Sequence, residues 1–165
     1  IEQEGTYKLP EAQTDRFMMK ITMGYPTLEE EILILERHHK NARLTALDNI
    51  QPVITKDELT AMRDTLSQVF VDDALMRYIA GIIQQTRNSK AIFLGASPRA
   101  AVAMMQAAKA YALLQGRDFI TPDDVRLLAP SILQHRIVLT AEAEMEGITP
   151  LKAIARLIEK VEVPK

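Results

Sequence analysis

Cysteine is absent from the 165-residue chain, which excludes disulfides and thiolate metal sites within it. None of the six glycines is followed by lysine. The loop G-x-x-x-x-G-K-[ST] is therefore missing, and with it the backbone cradle and the lysine that hold a nucleotide's phosphates. No apolar run approaches the ~20 residues that cross a bilayer, so no membrane span is expected. No charged-then-apolar leader opens the chain, and a cytoplasmic protein is expected. There is no excess of positive charge either: 20 Lys and Arg stand against 22 Asp and Glu, without the dense basic stripe of a phosphate-backbone binder. A nucleic-acid partner is not expected. The first residue is Ile1 rather than methionine, and a start internal to a longer protein is expected.

What is present suits a folded domain. Hydrophobic residues make up 47% of the chain and charged residues 25%, enough apolar material for a core and too little charge density for disorder. Residues 1–15 are irregular and read as an extended loop with one turn, punctuated by Gly5 and Pro10. Phe17, Met18, Met19, Lys20, Ile21 and Thr22 then read as a short buried strand closed by Gly24-Tyr25-Pro26. One strand cannot stabilise itself, so it is expected to belong to a larger sheet.

Beyond Pro26 the pattern turns helical. Thr27-x-x-Glu30 and Thr55-x-x-Glu58 are capping boxes, in which hydroxyl and carboxylate satisfy free backbone donors of the first turn. The first of these helices ends in Arg37-His38-His39-Lys40, cations suited to the negative end of the macrodipole. Asp72 opens a helix with Leu75, Ile79, Ile82 and Ile83 on one face. Ser97-Pro98, Thr121-Pro122 and Thr149-Pro150 each set a hydroxyl cap before a proline at the first helical position. The β-branched stretch from His135 to Thr140 reads as a strand that would pair with residues 68–71. Met104 and Met105, with Ala101, Ala108 and Ala112, form a tightly packed helix face. The acidic stretch from Glu142 to Gly147 reads as a solvated loop.

Two arginines stand out. Arg99 follows the cap Ser97 and Pro98 and so lies in the first turn of a helix, where the dipole favours anions and a cation is misplaced unless an anion accompanies it. Free backbone N–H groups beside a guanidinium fork suit a phosphate. The plainer alternative is an ion pair with Asp123 or Asp124. Arg16, between the loop and the candidate strand, could reach a nucleotide held by a neighbouring subunit; otherwise it is a solvated partner of Asp15 or Glu11. No metal site is expected, since His38 and His39 are adjacent and point apart, and His135 is remote in sequence. Asp72-Asp73 and Asp123-Asp124 begin helices, where capping accounts for them.

The stretches Glu2-Gln3-Glu4-Gly5-Thr6-Tyr7, Leu9-Pro10-Glu11-Ala12-Gln13 and Asp15-Arg16-Phe17 resemble the segment after sensor 1 in the MoxR family of AAA+ ATPases. Gly95-Ala96-Ser97-Pro98-Arg99-Ala100 resembles that family's sensor 2 motif, and Gly116 to Val125 and Ala129-Pro130 through His135-Arg136 resemble its lid. Two departures are Thr14, where leucine is common, and Lys8, where proline is frequent. The resemblance implies a mostly α fold: a helical AAA+ lid bundle with a short β-hairpin over residues 27–165, preceded over residues 1–26 by a remnant strand and loop of the α/β ATPase core. It implies that Arg16 is an arginine finger acting in trans, and that Arg99 is the sensor 2 arginine, with Ser97 capping its helix. It further implies ATP and Mg²⁺ as cofactors of the intact protein and self-association into a ring, taken as a hexamer. Client proteins and von Willebrand factor A-domain proteins are the implied partners. Lacking the P-loop lysine and the Walker B acids, the chain alone is not expected to hydrolyse ATP. The competing readings are a stand-alone helical protein-interaction module that never meets nucleotide, and a DNA-binding helical domain, for which the charge balance is wrong.

Overall fold

The computed structural model describes residues 9–40 and 50–164; residues 2–8 of the family-like segment, with the departure at Lys8, lie outside the described residues. Among the described residues there are eight helices and two short strands. In chain order these are α1 (Glu11–Thr14), α2 (Leu28–Lys40), α3 (Lys56–Gln68), α4 (Asp73–Asn88), β1 (Ile92–Leu94), α5 (Pro98–Leu114), α6 (Pro122–Leu133), β2 (Val138–Leu139), α7 (Ala141–Met145) and α8 (Pro150–Lys160). The described residues separate into two compact units, one made of residues 9–20 with 64–164 and one within residues 21–63.

In the smaller unit the two capping boxes form. Thr27 N–H donates to Glu30 Oε2 at 2.8 Å while Glu30 N–H donates to Thr27 Oγ1 at 3.3 Å. Thr55 and Glu58 repeat the arrangement at 2.7 and 3.2 Å, and those bonds from Thr55 hold the Glu58 carboxyl below its ordinary value. Leu28, Ile32, Leu33, Ile34 and Leu35 of α2 remain exposed.

The larger unit holds the core. α4 buries Leu75, Tyr78, Ile79, Ile82, Ile83 and Thr86, the helical spacing that turns one face inward. α5 meets it with Ala100, Ala103, Met104, Ala107, Ala108 and Ala112, small side chains that allow close helix approach around one flexible methionine. α6 adds Val125, Ala129, Ile132 and Leu133, and α8 closes the bundle with Ala153, Ile154, Leu157 and Ile158. At the end of α5 the chain reverses through Gly116, whose φ of 70° belongs to the left-handed region. Arg117 N–H then reaches back to Ala112 O at 2.9 Å, a turn that a side-chain-bearing residue would strain.

Three local expectations are corrected. Residues 17–22 form no strand among the described residues; backbone groups of this stretch are engaged by the end of α6 instead, Lys20 N–H donating to Ser131 O at 2.8 Å and Gln134 Nε2 to Lys20 O at 2.9 Å. β2 pairs antiparallel with β1, Ile92 opposite Leu139 and Leu94 opposite Val138, not with residues 68–71. Phe70 is bridged to Phe119 instead, through Phe70 N–H to Asp118 O and Ile120 N–H to Phe70 O. The acidic stretch expected as a loop begins as the short helix α7, capped by the Thr140 hydroxyl, with Ala143 buried under its exposed glutamates.

Candidate functional site

The site is assembled where the loop after α1 meets the start of α5 and the end of α6. Its first component is the approach to α5. Gly95 lies so close to α4 that a Cβ there would stand 2.8 Å from the backbone N and Cα of Arg87. The next residue is stapled to the same helix, Ala96 N–H donating to Thr86 Oγ1 at 2.9 Å and Arg87 Nε donating to Ala96 O at 2.9 Å. The Thr86 hydroxyl in turn donates to Ile83 O at 2.6 Å, so a fully buried side chain fixes where α5 begins.

Ser97 occupies the N-cap position of α5 but makes no side-chain cap, contrary to the sequence expectation. Its hydroxyl donates to the Asp15 carboxylate at 2.9 and 3.1 Å, a bond strengthened by the charge of the acceptor. Arg99 follows, half-exposed, with Nη1 3.6 Å from Asp15 Oδ2. The expected alternative partners are otherwise placed. Asp124 is gripped by Arg117 at 2.7 and 2.9 Å and closes the capping box of α6 with Thr121, while Asp123 is exposed. Burial pushes the Asp124 carboxyl up, but the Arg117 and Thr121 bonds together hold it below its ordinary value.

The third component is Arg136, whose side chain is 1% exposed. Nε stands 3.2 Å from Asp15 Oδ1, forming the buried half of an ion pair. The guanidinium also gathers backbone carbonyls: Asp15 O at 3.2 Å from Nη2 and 3.3 Å from Nε, Met18 O at 3.0 Å, Ile132 O at 2.6 Å, and Phe17 O. Five donors in a planar fork suit this, and a buried charge needs it. Burial lowers the guanidinium's pKa and the Asp15 carboxylate partly offsets that, which leaves an arginine charged. His135 adds a bond from Nε2 to Phe17 O at 3.0 Å; burial holds its pKa below the ordinary value against that bond. The ring is thus neutral at pH 7, with the proton on Nε2.

Arg16, between these clamped neighbours, is exposed and makes no side-chain hydrogen bond or ion pair among the described residues. The alternative partner Asp15 is already committed to Ser97, Arg99 and Arg136. A cleft of about 260 Å³ lies beside the cluster, lined among others by Glu11, Ala12, Asp15, Gly95, His135 and Arg136.

The structure therefore brings Ser97, Arg99 and Asp15 together and leaves Arg16 displayed next to them. Sequence reasoning missed Arg136, Thr86 and the anchoring part played by Asp15; an acid directly preceding the displayed arginine was the available signal. No group of three His, Asp or Glu that could hold a metal ion occurs among the described residues. His38 and His39 lie in the last turn of α2, and both are exposed. For a nucleotide's phosphates the fit is partial: a loosely paired, half-exposed Arg99 in the first turn of α5 suits an anion. No described helix is long and apolar enough to cross a membrane.

Comparison with known proteins gives one direction. Residues 84–157 match the family described as "AAA lid domain". The chain is 42% identical over 164 residues to the uncharacterized protein YeaC of Bacillus subtilis, covering 99% of this chain and 50% of that protein. It is 35% identical over 174 residues to the protein named Chaperone MoxR1 of Mycobacterium tuberculosis, covering 100% and 45% respectively. Among solved structures, a candidate ATPase from Cytophaga hutchinsonii superposes with a TM-score of 0.86 at 36% identity, covering 100% of this chain and 52% of that one. The chain spans about half the length of the curated relatives it matches.

Proposed function

Given that the chain belongs, along its whole length, with the MoxR-family AAA+ ATPases, we propose that it supplies the arginine-finger loop and the lid of a ring-forming ATPase. In this reading residues 1–26 complete the ATPase core and residues 27–165 form the lid. Arg16 acts in trans on the nucleotide of the neighbouring subunit, offsetting charge that develops during phosphoryl transfer. Arg99 contacts a nucleotide phosphate from the first turn of α5 and couples nucleotide state to lid position. Bound ATP with Mg²⁺ supplies the cleavable phosphoanhydride; this chain contributes positive charge and position. Hydrolysis also requires a phosphate cradle and metal-binding acids, which this sequence does not contain, so the chain by itself turns over no ATP.

The ring, a hexamer, works in the cytoplasm as a chaperone-like machine that matures or assembles client proteins, alongside partners with von Willebrand factor A domains. The relative named as a chaperone supports that direction. The observation that carries the reading is the contrast at one loop: Arg16 is exposed and unpaired among the described residues while Asp15 is tied down on three sides. Substituting Arg16→Ala in the ring-forming protein should lower ATP turnover by about 10³-fold, the effect of removing a finger, and Arg99→Ala should also lower it. Turnover left intact by both substitutions, or phosphate release by this chain alone, would overturn the reading.

A further inference from the structure

The residues around Arg16 are held almost entirely by the lid. Gln134, His135 and Arg136, three consecutive side chains at the end of α6, bond to the carbonyls of Lys20, Phe17, Asp15 and Met18. The contacts to the Asp15 carboxylate differ in strength. Arg136 meets it buried at 3.2 Å and Ser97 at 2.9 Å, whereas Arg99 stands 3.6 Å away on a side chain 52% exposed. An exposed, long pair is worth little and exchanges readily; breaking a buried one leaves an uncompensated charge. A phosphate could thus draw Arg99 away from Asp15 without releasing the loop.

Resting on the reading of Arg16 as the finger, we infer that Arg136, acting through Asp15, is the positioning residue for Arg16. Arg99 shares the carboxylate but does not anchor it.

The inference is tested in two arms. In this chain, hydrogen exchange of the amides of residues 9–20 should accelerate by about tenfold in Asp15→Asn and in Arg136→Met, while α5 stays protected. If Arg136→Met loosens α5 as well, Asp15→Asn alone decides, because Asp15 lies outside the apolar core. Unchanged exchange of residues 9–20 in Asp15→Asn overturns the tether. In the ring-forming protein, Asp15→Asn should lower kcat by about 10- to 100-fold, as misplacing a catalytic group does. KM for ATP should not rise, since the substitution frees Arg99 for phosphate; general damage to the nucleotide site would raise it. If Arg16→Ala impairs turnover but Asp15→Asn does not, the positioning role is overturned. If Arg16→Ala has no effect, the finger reading fails, and the exchange arm still reports on the tether.

Discussion

Replacing Thr86 by valine tests whether one buried hydroxyl sets the start of the arginine-bearing helix. The side chain is fully buried and nearly isosteric with valine, so the substitution changes hydrogen bonding and little else. It deletes the bond from Ala96 N–H at 2.9 Å and the bond to Ile83 O at 2.6 Å. Ala96 is itself buried, so its N–H is left without a partner or water, a loss of about 1–3 kcal/mol. The added methyl returns up to about 0.8 kcal/mol through burial of apolar surface, which leaves a net destabilisation of about 0.2–2 kcal/mol. Thr86→Ser keeps the hydroxyl and forfeits a methyl, at about 1 kcal/mol. Global stability alone separates the two poorly, so the assay is site-resolved hydrogen exchange. The Ala96 amide should exchange faster in Thr86→Val by more than the global loss predicts, and only by the global loss in Thr86→Ser. Equal protection of Ala96 in both variants, once corrected for global stability, would refute the reasoning.

Gly95→Ala should destabilise the larger unit by about 1–3 kcal/mol in urea denaturation, because the new Cβ meets the backbone of Arg87 rather than a yielding side-chain tip. A variant as stable as the parent would mean that β1 and α4 separate freely there. Asp124→Asn weakens the charged fork from Arg117 and should cost about 1–3 kcal/mol at pH 7 by the same measurement. Its pH dependence has a definite sign. The folded carboxyl titrates below the ordinary 3.8, so its stabilisation is complete above that value and is lost as the pH falls through the folded pKa. The gap between parent and Asp124→Asn should therefore narrow on acidification below about pH 4, and a gap that widened there would contradict the assignment.

Features written in short-range chemistry were legible. The capping residues at Thr27, Thr55, Asp72, Thr121 and Thr149 each take their helical place, because a cap involves residues only two or three apart. The inward face of α4 was legible for a similar reason: helical periodicity survives whatever the helix packs against. Strand pairing was not. Val138 had several apolar stretches as possible partners, and nothing local to it favours Ile92–Leu94 over residues 68–71. Ser97 shows where a local rule is overridden, its hydroxyl turned from a cap to a carboxylate 82 positions away. Residues 17–22 have strand composition, yet their carbonyls meet the end of α6, more than a hundred positions on. Arg16 and Arg99 were singled out by motif; the buried Arg136 that organises the loop lacked a local signature, since a charged residue reads as surface.

The charge balance at the site leaves an excess of positive charge. Asp15 is approached by two guanidiniums, and a single carboxylate can neutralise one of them. Arg136 has the stronger claim, since its side chain is sealed from water and unpaired charge is most costly there. Arg99 is left with a long contact and access to solvent, so part of its charge stays available. Arg16, next in sequence to the shared carboxylate, adds a second cation that no described residue offsets. Moving the carboxylate would disturb all three arginines together, releasing Arg99, stranding Arg136 and loosening the loop that carries Arg16. Asp15 is therefore the residue whose loss most directly separates Arg16 and Arg99 from the scaffold that holds them.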